Sequence, residues 1–111
     1  MNFLKATITR RAGHLRLTSV DQLLASNKVV AFIHGTEETP LCHKSKMVVE
    51  ALKFYNQVFT CVNLLEAKTI RKELLSKYPF TPQVFSRGTL IGGAYSLLEF
   101  HENGVLRDKL K

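Results

Sequence analysis

The string Thr39-Pro40-Leu41-Cys42-His43-Lys44-Ser45 holds the residue of this chain best suited to chemistry. Cys42 lies where a proline-led polar loop gives way to a helical pattern. At a helix start the unpaired backbone N–H groups and the positive end of the macrodipole favour a thiolate, and Lys44, Lys46 and a protonated His43 add to that field. A free cysteine is often a small buried apolar residue. Burial alone does not explain one placed in a polar loop rather than on the apolar face that follows. Position 45 is Ser, so the motif contains no resolving thiol and a dithiol relay through it is excluded. The other cysteine, Cys61, stands between Thr60 and Val62 in a strand-like run and reads as core, with a resolving role as the alternative. A lone activated thiol exchanges mixed disulfides with an outside thiol, or ligates a metal.

The elements that must position Cys42 are legible as a series. Thr18 or Ser19 can cap a short helix carrying Val20, Leu23 and Leu24. Val29 to Ile33 is a continuous, largely β-branched apolar run, as expected of a strand covered on both faces. Gly35 to Pro40 is loop chemistry, and a loop after a buried strand is where an α/β fold carries its site. From Cys42 to Asn56, apolar Val48, Ala51, Leu52 and Tyr55 recur at three- and four-residue steps and predict a helix with one apolar face. Val58 to Leu64 is strand-like, Ala67 to Lys77 a shorter helix anchored by Ile70 and Leu74. Gln83 to Ser86 and Thr89 to Ile91 predict a hairpin across Arg87-Gly88. A last helix carries Tyr95, Leu97, Leu98 and His101 and stops at Asn103-Gly104. The order α, β, α, β, α, β, β, α predicts an α/β domain: a parallel strand pair and an antiparallel hairpin in one four-stranded mixed sheet, with helices on both faces.

Two further stretches bear on the site. Thr81-Pro82 precedes the hairpin; as a sequence it reads as an ordinary trans proline opening a strand, because cis bonds are only about 5–6% of X–Pro bonds in folded proteins. A cis bond there would instead turn the Thr81 backbone toward Cys42, ready to pair with an extended thiol peptide. Gly92-Gly93 is either a tight turn or a helix start whose N–H groups meet a carboxylate.

With 111 residues, 45% of them hydrophobic and 23% charged, the chain suits one folded, soluble domain. No apolar run approaches the roughly 20 residues of a membrane span, which excludes one. Two cysteines are too few for a disulfide-stapled secreted scaffold and suit a reducing compartment. The net charge is +7, and Lys5, Arg10, Arg11 and Arg16 supply four of those charges before the first acid, Asp21. Residues 1–17 therefore form a basic leader ahead of a domain at 18–111. That leader predicts a mitochondrial or other organellar address; a solvated arm or edge strand on a cytoplasmic protein is the alternative. Nucleic acid is not an expected partner, since the remaining basic residues are interspersed with acids and no aromatic-basic stacking surface is evident.

Taken together, Gly35-Thr36, Pro40-Leu41-Cys42-x-x-Ser45, Val48-Val49-Glu50-Ala51-Leu52, Pro79-x-Thr81-Pro82-Gln83 and Ile91-Gly92-Gly93 resemble the monothiol glutaredoxins over about residues 28–106. The resemblance implies a thioredoxin-like fold, a cis Pro82 and a groove for glutathione beside Cys42. It also implies a cluster-bridged homodimer in which two Cys42 and two glutathiones ligate one [2Fe-2S] cluster destined for iron-sulfur client proteins. Under it His34 stands where the family has lysine, Arg71 where a basic residue receives the glycine carboxylate of glutathione, and Thr81 where backbone bonds hold the glutathione cysteine. Gly92 and Gly93 complete the implied groove. The chain departs from the family in two places. Cys-Gly-Phe-Ser is Cys42-His43-Lys44-Ser45 here, and the Cys-Asp after the paired glycines is Ala94-Tyr95, which removes the acid that meets the glutathione amino group. Weaker glutathione binding or a different preferred thiol follows from that loss. Deglutathionylation by a monothiol oxidoreductase, and a degenerate adaptor without ligand, are the alternative functions.

Overall fold

Val29–Ile33 (β1) is buried at every position, as its unbroken apolar run requires. It occupies an interior place in a four-stranded sheet, pairing in parallel with Thr60–Asn63 (β2) and antiparallel with Gln83–Ser86 (β3), which in turn pairs antiparallel with Thr89–Gly92 (β4). These are strands of a computed structural model that describes residues 19–111. The basic leader, with its expected arm or transit role, lies outside the described residues.

Helices cover both faces. Val20–Ser26 (α1) and Lys68–Lys77 (α3) lie on one side, His43–Phe54 (α2) and Ala94–Glu102 (α4) on the other. The choice of cap at α1 falls on Ser19, whose hydroxyl accepts from the Gln22 N–H while Gln22 Oε1 accepts from the Ser19 N–H. Alternation along β1 divides the core. Val30 and Phe32 join Leu23, Val62, Ile70, Leu74 and Phe85 under α1 and α3, whereas Val29, Ala31 and Ile33 join Val48, Leu52 and Leu97 under α2 and α4.

Several bounds differ from the sequence expectation. The strand expected over 58–64 shortens to Thr60–Asn63, because Val58 is 60% exposed and lies outside the ladder. The helix expected through Asn56 ends at Phe54, since Asn56 adopts a positive φ of 53°. After the Asn103-Gly104 stop a further helical turn, Leu106–Lys109 (α5), returns Leu106 and Leu110 to the α2 side of the core at 0% and 2% exposure. Cys61 is buried in that same cluster, in keeping with a core role.

The sheet delivers the site residues directly. His34 follows the last residue of β1, and Gly35 then takes a φ of 101° while its N–H donates to Asn63 Oδ1 at the end of β2. A Cβ on Gly35 would lie 2.5 Å from the Thr39 carbonyl oxygen, so no side chain fits. The loop closes through the Leu41 N–H to His34 O and the Thr36 N–H to Thr39 O bonds, which brings the chain back to start α2 at Cys42. At its far end α2 is tied to α4 by a 2.6 Å hydrogen bond between Tyr55 Oη and His101 Nδ1.

Candidate functional site

Cys42 is the N-cap of α2, with extended backbone (φ −143°, ψ 160°), and its Sγ accepts from the Ser45 N–H at 3.4 Å. Sulfur thus does the work an oxygen usually does at a helix start. Ser45, 0% exposed, contributes a second contact, with Oγ 3.1 Å from Sγ. The same hydroxyl accepts the His34 N–H at 2.9 Å. At 3.1 Å this hydroxyl can accept from the Cys42 thiol or donate to its thiolate. The His34 ring completes the cluster: Nδ1 lies 3.6 Å from Sγ and Nε2 3.5 Å from Thr81 Oγ1. Cys42 is partly exposed, and His43, Lys44 and Lys46 around it are exposed.

The Thr81-Pro82 peptide bond is cis, contrary to the trans reading from residue frequencies and in line with the family resemblance. Gln83 holds this turn from beneath, its buried amide Nε2 donating to the carbonyls of Tyr78 and Phe80. The β1–β3 ladder ends at the Phe32–Gln83 pair, so Thr81 stands beyond it at the rim. Gly93, the N-cap of α4, packs so closely here that a Cβ would sit 3.0 Å from the Pro82 carbonyl oxygen. Cys42, His34, Thr81, Pro82 and the start of α4 are therefore neighbours. Gly92 reaches that position with a φ of 143°, and a Cβ there would collide with Ser96 at 2.5 Å. Arg71 is not drawn in. It is exposed on α3 and makes no hydrogen bond or ion pair with Cys42, His34 or Thr81.

Sequence reasoning missed Ser45 and Asn63. The three-residue step from Cys42 to Ser45 is the spacing of a helix cap to its third residue, a usable signal. Asn63 at the end of a buried strand was the other signal, since a buried amide needs partners; it accepts from the N–H groups of Gly35 and Leu65. Ser45→Ala leaves the His34 N–H and Sγ without their shared partner. A loss of about 1–3 kcal/mol in unfolding free energy is expected from the orphaned donor, with slower alkylation of Cys42 by iodoacetamide; unchanged stability and rate would contradict the role given to this hydroxyl.

Among the described residues no helix is long and apolar enough to cross a membrane. The glutaredoxin family model matches residues 29–91. A Synechocystis protein, "Uncharacterized monothiol glutaredoxin ycf64-like", is 34% identical over 94 residues, covering 83% of this chain and 88% of that one. The solution structure of reduced poplar apo GrxS14 aligns at 34% identity with a TM-score of 0.72, covering 82% of this chain and 85% of that one. The crystal structure of a buckwheat glutaredoxin-glutathione complex aligns at 25% identity with a TM-score of 0.72, covering 92% and 93%. With its four-stranded mixed sheet, its thiol-capped helix and no second cysteine in the motif, this chain belongs to the glutaredoxin family, among the monothiol glutaredoxins of the thioredoxin superfamily.

Proposed function

We propose that this chain holds glutathione beside Cys42 and, with a second copy of itself, shares a [2Fe-2S] cluster that it passes to iron-sulfur client proteins or uses in redox regulation. The observation that carries this reading is that Cys42, a partly exposed residue, caps α2 through its Sγ, which Ser45 and His34 contact. The surface from His34 past Thr81 and Pro82 to Gly92 and Gly93 is the proposed glutathione seat, and the glutathione in the buckwheat glutaredoxin complex supports it. Arg71 is the proposed contact for the glycine carboxylate.

The donor set suits a shared cluster. Among the described residues no group of three or more His, Cys, Asp or Glu could hold a metal ion. Each copy then supplies one thiolate, and glutathione supplies the rest of the four that such a cluster takes. The basic rim formed by Lys44 and Lys46 would offset the negative charge of a thiolate-ligated cluster. The Cys42 thiolate would hold the cluster and the backbone around Thr81 would hold glutathione; when bound, the cluster would supply the iron and sulfide to be transferred. The acid-free leader supports a mitochondrial or other organellar address.

Anaerobic reconstitution with iron, sulfide and glutathione is expected to yield a brown, dimeric protein. A colourless monomer overturns the reading.

The basic rim also favours a second reading, reduction of protein-glutathione mixed disulfides. The Cys42 thiolate attacks the glutathionyl sulfur, forming a Cys42–glutathione disulfide and releasing the protein thiolate. A second glutathione thiolate then attacks that disulfide, frees Cys42 and leaves as oxidised glutathione. Turnover of a glutathionylated peptide by the cluster-free protein distinguishes this activity from cluster transfer.

A further inference from the structure

The first turns of α2 and α4, which follow Cys42 and Gly93, meet in space. Lys44 Nζ, on the first turn of α2, lies 5.5 Å from the centroid of the Tyr95 ring on the first turn of α4. Tyr95 is 60% exposed, so this contact lies at the surface, alongside the cis turn that Gly93 packs against. The placement of Lys44 is unfavourable for the helix, because a cation near the N-terminus opposes the macrodipole. Neither first turn carries an acid. On these two helices the first acids are Glu50 and Glu99, both beyond the first turn. Lys46 adds to the same cationic edge of α2.

We propose that Lys44 and Tyr95 together set ligand specificity, selecting thiols whose end beside α4 carries an anion and no ammonium. The inference rests on the glutathione reading of the groove. A thiol ligand seated along Thr81 and Pro82 leads to the start of α4, where Tyr95 stands. The face of the Tyr95 ring attracts a cation, but Lys44 already occupies it. A ligand ammonium brought there meets a like charge and no carboxylate, whereas a ligand carboxylate meets the Lys44 ammonium, held in place by the ring and with donors to spare. The substrate class is therefore an acidic acyl-cysteine thiol, of which glutathione without its amino group is the simplest probe.

Two thioether ligands that cannot exchange test this on the full chain by calorimetry: S-methylglutathione, and its analogue with glutaryl in place of γ-glutamyl. The analogue is expected to bind about two- to fivefold more tightly, the range of an exposed ion pair. Lys44→Gln should bring the ratio toward one. Tyr95→Asp should invert it, and Asp at an exposed helix start leaves the fold intact. Equal binding by the unaltered chain, tighter binding of S-methylglutathione, or a ratio indifferent to Tyr95→Asp overturns the inference while leaving the glutathione reading in place. Binding of neither ligand overturns both.

Discussion

Cys42→Ser is expected to lose the reconstituted cluster and mixed-disulfide exchange completely while remaining folded. Oxygen in place of sulfur removes the thiolate on which both reactions depend. The cap survives, because Sγ already accepts from the Ser45 N–H and serine is among the residues that cap helices best. Stability should therefore stay within about 1 kcal/mol of the unaltered chain. Few substitutions separate chemistry from folding so cleanly. Absorbance of the reconstituted protein and a urea titration of the apoprotein together provide the check. A variant that stays brown, or still turns over a glutathionylated peptide, places the chemistry on another residue.

The largest expected effect on stability comes from Phe32→Ala. Phe32 is 0% exposed and packs edge to face on Phe85, with ring centroids 5.7 Å apart and planes at 89°. Truncation removes that contact and leaves a cavity beneath α1 and α3 that rigid neighbours fill poorly. Such changes cost about 3–5 kcal/mol, a large share of the roughly 5–15 kcal/mol that keeps a domain folded. The urea midpoint should fall accordingly, and a loss below about 1 kcal/mol would show that this layer repacks.

The strands and helices were legible where a single physical rule governs them. An unbroken apolar run identified β1, helical spacing of Val48, Ala51 and Leu52 identified α2, and paired turn residues identified the hairpin. The place of Cys42 at the start of α2 was legible because a proline-led loop meets apolar helical spacing there. What sequence could not supply are the relations between distant segments. Ser45 meeting the His34 backbone and Lys44 meeting Tyr95 both depend on the path of the chain in space. The cis bond at Pro82 ran against residue frequencies and came only from family resemblance. The turn after Asn103-Gly104 was hidden by a correct stop signal, since two leucines four residues apart are too short a pattern to predict α5. Arg71 was carried over from the resemblance, and its exposed place on α3 puts it among none of the contacts of Cys42.

The division of β1 between two apolar clusters has a consequence for how firmly the sulfur is aimed. Its even- and odd-numbered residues are claimed by opposite layers, so a shift of its pairing by one position would turn Phe32 and Val30 into the slots shaped for Ala31 and Ile33. Neither layer tolerates that exchange, and the strand is locked lengthwise from both sides. His34, one step past its end, inherits this fixed origin and passes it through one amide to Ser45 and from there to the thiol.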